Sequence, residues 1–150
     1  MNSGKITVAA LIAFFLSLGG LYAGGTKEEA KGLVLKAIEY YKANGKDKAF
    51  AEINNPKGMF VKDDLYVFVY DINGTCVAHG FNAKMIGKNL IDAKDPDGKF
   101  FVRERVKIAK TAGSGWQDYK FTNPSTYKME NKTAYIQKVD NYIFGCGVYK

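Results

Sequence analysis

The stretch DLYVFVYDINGTCVAHG, residues 64–80, sets aromatic rings on alternate residues (Tyr66, Phe68, Tyr70) and then reaches His79, the only histidine of 150 residues. An imidazole standing in such a row can donate a hydrogen bond to an anionic ligand, or can serve as a core side chain with its partner inside the protein. Arg103 offers a planar fork that suits a carboxylate if its helix end turns inward. On the other reading it shares the polar side of that helix with Lys107 and Lys110 and faces water. Catalysis is poorly served. One histidine, no GxSxG and no recognisable carboxylate pair leave no assembled nucleophile or acid–base couple, so no catalytic residue is expected. AKDPDGKFFVRE spaces Asp95, Asp97, Gly98 and Glu104 like a calcium loop. Ala93 takes the first ligand position and Pro96 stiffens the loop, so a turn rich in Asp and Gly accounts for it and no metal is expected. The two cysteines, Cys76 and Cys146, form no haem, redox-pair or zinc spacing, and no cofactor is expected.

These side chains need a sheet to hold them. LYVFVYDI is rich in β-branched and aromatic residues, and Asn73-Gly74 is a strong hairpin signal. A two-residue turn there sets Ile72 opposite Thr75, Tyr70 opposite Val77, and Phe68 opposite His79. Strand alternation then gathers Tyr66, Phe68, Tyr70, Val77 and His79 on one face, with Leu65, Val67, Val69 and Ala78 on the other. The aliphatic face wants a cover, and the sequence supplies one. Thr26 and Glu29 form a capping box, and Ala30, Leu33, Ala37 and Tyr41 follow at helical spacing up to Asn44-Gly45. Asp47 can cap a second short helix, KAFAEI. A connector rich in Gly, Asn, Asp and Pro fills residues 81–99, and FVRERVKIAKTAG reads as a further helix closed by Gly113. GWQDYKFTN, KTAYIQKVD and YIFGCGVYK are three more strands, with Tyr119 sharing a face with Gln117 and Phe121 and Trp116 alternating to the opposite face. Five short strands with loosely attached helices indicate an α+β domain on an antiparallel sheet.

The formal charge of +7 comes from lysines scattered singly, without a basic run, so a soluble basic surface is expected and nucleic acid is not a partner. MNSGK followed by ITVAALIAFFLSLGGLYA reads as a signal peptide over residues 1–23, cut after Ala23, with the folded domain spanning 24–150. The alternative is an uncleaved N-terminal anchor. Either way the folded part is expected outside the cytoplasm, periplasmic or secreted.

At DLYVFVYDINGTCVAHG, IGKNLIDAKDPDGKFFVRE, GSGWQDYKFTNP, KTAYIQKVD and GCGVYK, the sequence resembles the single Cache domains of bacteria, PAS-like extracytoplasmic sensors. The resemblance covers roughly residues 27–150. It implies a long N-terminal helix on one face of a five-stranded antiparallel sheet and a small-ligand pocket on the other, closed by the connector. The implied ligand is a short carboxylate or similar organic anion, and the residues expected to bind it are His79, Tyr119, Lys132 and Tyr135 from the resemblance, with Tyr70 from the aromatic face and Arg103 from its fork. Tyr119 matches the family's pocket-side tyrosine, and Lys132 and Tyr135 match a second pocket motif in KTAY. Many family members sit between two membrane spans and pass their signal to a kinase or chemoreceptor core. The expectation here is a stand-alone exported sensor that binds without catalysis and signals through a membrane-bound signalling or transport partner, with a homodimer as a further form. The rival is an exported redox or enzyme accessory working through a thiol or a bound cofactor. The implied strand order also sets the first strand between the second and the fifth. Cys76 and Cys146 would then lie a strand apart, about 9–10 Å, beyond the reach of a disulfide.

Overall fold

The computed structural model describes residues 24–150, so the expected signal peptide over 1–23 lies outside the described residues. Helix α1, Lys27–Asn44, starts where the capping box predicts. Thr26 Oγ1 accepts from the Glu29 N–H at 3.1 Å, and Glu29 Oε2 accepts from the Thr26 N–H at 2.8 Å. It ends at Gly45, whose φ of 84° favours a residue without a Cβ. Helix α2, Lys46–Ile53, follows at once, and Gly45 rather than Asp47 holds its N-cap, without a side-chain hydrogen bond. The junction is too tight to leave Asp47 outside the helix, so its carboxylate sits in the first turn instead.

A short hairpin, β1 (Val61–Lys62) with β2 (Leu65–Tyr66), precedes the main sheet. That sheet contains β3 (Phe68–Asp71), β4 (Cys76–His79), β5 (Ser114–Thr122), β6 (Met129–Val139) and β7 (Tyr142–Tyr149). Its order is β4-β3-β7-β6-β5, with every neighbour antiparallel. β7 is therefore central, and β3 separates β4 from β7 as expected.

The first hairpin departs from the expected register at its tip. Phe68 does face His79, but Tyr70 pairs with Cys76, because a bulge falls between Val69 and Tyr70. Asp71 is the cause. Its Oδ1 accepts from the N–H groups of Asn73 and Thr75, both at 2.9 Å, and its main chain closes on Gly74 and Thr75. Gly74 then sits at φ 90° as the last of three loop residues rather than the second of two. Cys76 consequently replaces Val77 on the aromatic face, and Val77 turns toward α1.

Both faces are covered. Ala30, Val34, Ala37 and Ile38 of α1 pack on Val67, Val69, Phe144, Cys146 and Val148. Burying Val34 and Ile38 contributes about 1.5–3 kcal/mol each relative to exposure. The aromatic face lies under helix α3, Phe101–Thr111, and the connector before it. That connector is bonded into the sheet edge: Gly87 N–H donates to Cys76 O at 2.7 Å and Cys76 N–H to Lys88 O at 3.0 Å. Its far end is pinned by Asp95, whose carboxylate takes the N–H groups of Asp97, Lys99 and Lys120. Burial works against its ionisation, but those donors hold its pKa below the usual value. The carboxylate with calcium-loop spacing thus spends its oxygens on backbone.

Both cysteines are buried free thiols, and β3 lies between their strands. Titration of the denatured, unreduced protein should count two thiols per chain. A monomer giving none would overturn the strand order.

Candidate functional site

Three aromatic residues from the first hairpin region line up on the face away from α1: Tyr66, Phe68 and Tyr70, each at most 2% exposed. Across the sheet β5 and β6 add Tyr119, Phe121 and Lys132, and β7 adds Tyr149. Helix α3 lays Arg105 over them. The site is built from rings, and into them go two cations.

Lys132 is 1% exposed, with Nζ 4.1 Å from the centre of the Tyr66 ring and 4.8 Å from that of Tyr149. It donates to the Tyr66 hydroxyl at 2.8 Å and the Tyr149 hydroxyl at 3.3 Å. Those hydroxyls lie 3.0 Å apart, and Tyr149 passes its proton to Thr122 O at 2.7 Å. Burial, reinforced by the charge of Arg105, pushes the Lys132 pKa down to about 7. Cys146 and, more weakly, Asp64 pull the other way and only partly offset this.

Arg105 is also 1% exposed. Its guanidinium carbon lies 4.3 Å from the Phe68 ring centre and 4.6 Å from that of Tyr70, and its Nε donates to Gln117 Oε1 at 2.8 Å. Gln117 is held in turn by its own donation to Phe101 O at 3.0 Å. Cation–π contacts of this kind contribute about 2 kcal/mol when desolvated, far less than a buried charge loses on leaving water. Among the described residues the ion pairs join Lys62, Lys99, Arg103, Lys120 and Lys150 to surface acids, and none includes Lys132 or Arg105. Below pH 7 two buried positive charges therefore share one aromatic floor, with no carboxylate in ion-pair contact among the described residues.

His79, 3% exposed, closes the row beside Tyr66, Phe68 and Phe121. Its Nδ1 accepts from the N–H groups of Asn82 at 2.9 Å and Phe81 at 3.2 Å, which assigns the proton to Nε2. Burial, then Lys132 and Arg105, push its pKa down to about 3, so it is a neutral donor. A cleft of about 290 Å³ is lined by Tyr119 and Lys132 together with Asp95, Asp97 and Asp118, and another of about 210 Å³ is lined by Tyr66, Gly80 and Phe81.

The structure thus gathers Tyr70, His79, Tyr119 and Lys132. It does not gather Tyr135 and Arg103. Tyr135 has the opposite parity to Lys132 on β6, packs on the α1 face and donates to Gln137 Oε1 at 2.6 Å. Trp116, on the same side, lies beside it and half-exposed. Arg103 stands on the surface, paired with Asp92. The arginine in the cluster is Arg105, and a signal for it exists. Val102, Arg105, Val106 and Ala109 are one helical stripe, so Arg105 was the lone charge on the apolar face. Tyr66 and Tyr149 contribute hydroxyls that spacing alone does not reveal.

A family model for the single Cache domain 2 matches residues 5–150. The chemotaxis protein McpP of Pseudomonas putida is 26% identical over 147 residues, 95% of this chain and 23% of its own length. The sensor histidine kinase MctS of Rhizobium johnstonii is 36% identical over 88 residues, 57% of this chain and 19% of its own. The chain therefore spans about a fifth of the length of these curated relatives. Among solved structures, a methyl-accepting chemotaxis protein from Vibrio parahaemolyticus superposes with a TM-score of 0.71, at 21% identity over 82% of this chain and 87% of the other. A Cache chemosensory domain studied for its carboxylic acid recognition gives 0.65, at 26% identity over 81% and 86%.

The buried bases make stability depend on pH. Between about pH 3 and 6.5 the unfolded chain protonates His79 and the folded one does not, so stability falls as pH drops through that window. Between about 7 and 10.5 the unfolded chain keeps Lys132 charged while the folded one releases its proton, so stability rises with pH. Lys132→Met should abolish the second slope and stabilise the ligand-free protein by about 1–4 kcal/mol below pH 7. Urea midpoints of both proteins across this range test it. Parallel curves would mean that Lys132 is not held in a low-dielectric site.

Proposed function

Because the chain belongs to the single Cache domain 2 family, we propose that it senses a small organic carboxylate, bound without turnover between Lys132 and Arg105. Relatives in the family are the sensor parts of chemoreceptors and histidine kinases, and one neighbour of known structure recognises carboxylic acids. The observation that carries the reading is the pair of buried cations with no carboxylate partner among the described residues. An anion entering between them offsets the desolvation both have suffered. Charge-assisted hydrogen bonds are the strong kind, and Arg105 supplies the planar donor that a carboxylate matches. His79 Nε2 and the hydroxyls of Tyr70 and Tyr119 supply neutral donors around it.

The domain works outside the cytoplasm on this reading and hands its state to a membrane-bound partner. One solved neighbour is a periplasmic sensor domain, and no helix among the described residues is long and apolar enough to cross a membrane. The rival reading through a reactive thiol loses support. Burial pushes Cys76 up to about 11 and Cys146 to about 12, and a thiol held protonated is a poor nucleophile.

A thermal-shift screen of the protein against short carboxylates and amino acids should find an acid that raises the melting temperature. With that acid, Lys132→Ala and Arg105→Ala should each lose about tenfold to a hundredfold in affinity, whereas Arg103→Ala should bind as wild type. Finding no stabilising acid, or an undiminished affinity in Arg105→Ala, would defeat the proposal.

The pH dependence has a definite sign. A carboxylate prefers the ammonium form and raises the Lys132 pKa above its ligand-free value of about 7. Affinity should therefore be highest below pH 7 and fall as pH rises. Calorimetry near pH 8, in buffers of different ionisation enthalpy, should report protons taken up on binding. Release, or no exchange, would mean that the anion does not contact Lys132.

A further inference from the structure

On the ligand face the central strand β7 presents Ile143, Gly145, Gly147 and Tyr149, so the middle of the sheet is bare backbone. Side chains fold into that space from both neighbours. A Cβ on Gly145 would lie 2.2 Å from Cε2 and 2.3 Å from Cζ of Phe68. A Cβ on Gly147 would lie 2.6 Å from Cε of Lys132 and 2.7 Å from the Thr133 carbonyl oxygen. Neither glycine is among those with positive φ, so turn geometry does not account for them. The missing Cβ does.

We propose that Gly145 is the specificity-determining position of the site, by letting the Phe68 ring sink to form its floor, and that Gly147 sets its affinity, by seating the Lys132 stem. The proposal rests on the carboxylate reading and adds to it which acids fit. Phe68 lies under Arg105 and 5.5 Å from Lys132 Nζ, measured to the ring centre, so the height of this ring sets the room left for the carbon chain of the acid. Lys132 reaches the hydroxyls of Tyr66 and Tyr149 only with its stem lying across β7.

The test is calorimetry of the full chain with acetate, propionate and butyrate, beside NMR titration of the Lys132 amine. Gly145→Ala should lift Phe68 and shift the butyrate-to-acetate affinity ratio against butyrate by about tenfold or more, the scale at which a pocket discriminates a methylene. Adding Phe68→Leu to Gly145→Ala should restore the wild-type ratio, which general destabilisation would not do. Gly147→Ala should weaken all three acids alike, by about tenfold to a hundredfold, and return Lys132 toward ordinary lysine titration. Its Cβ also meets main chain, so if it fails to fold, the Gly145 and Phe68 variants decide alone. An unchanged chain-length profile in a folded Gly145→Ala overturns the proposal. If the wild type binds none of these acids and the thermal-shift screen finds no other, the carboxylate reading falls by itself. Lys132 titration in Gly147→Ala then decides the seat, and an unchanged titration rejects it.

Discussion

Two positive charges are held out of water on one sheet face, and most of the molecule is arranged around that cost. Ring faces and neutral oxygens solvate them in part: Tyr66 and Tyr149 for Lys132, Gln117 with Phe68 and Tyr70 for Arg105. None of these carries a full negative charge. Such a site is under-compensated by construction, and the deficit is available to whatever anion enters. The arrangement would be a poor one for a core built only for stability, since well-packed apolar residues would serve better. Retaining it is intelligible for a surface meant to bind.

The two faces of the sheet divide the labour. The α1 side is aliphatic and close-packed, with alanines at the contact and no cation brought inside. The opposite side is aromatic, hydroxylated and charged. β7 belongs to both. It sends Phe144, Cys146 and Val148 toward α1 and leaves glycine toward the aromatic face, so at its middle only the thickness of a backbone separates the helix side from that face. His79 ties the start of the connector with one ring nitrogen and packs its ring among Tyr66, Phe68 and Phe121.

Much of this was legible beforehand, for identifiable reasons. The capping box at Thr26 and Glu29, the stop at Gly45 and the alternation of Tyr66, Phe68 and Tyr70 are local signals, and the structure keeps each of them. The strand order came from the resemblance, since sequence spacing alone does not order a sheet. What escaped was decided by single-residue geometry. Asp71 lengthened the turn and moved Cys76 onto the face assigned to Val77. Strand parity separated Tyr135 from Lys132 although both lie in one motif. Arg105 is the less obvious arginine because the polar stripe of α3 carries Arg103, whereas the informative residue is the charge that breaks the apolar stripe.

The connector that covers the site is also the covering of the sheet's edge, through the bonds of Cys76 with Gly87 and Lys88. Without it β4 would present its N–H and C=O groups to solvent, and such a row templates pairing with another chain. The connector therefore guards the sheet's edge as well as covering its aromatic face.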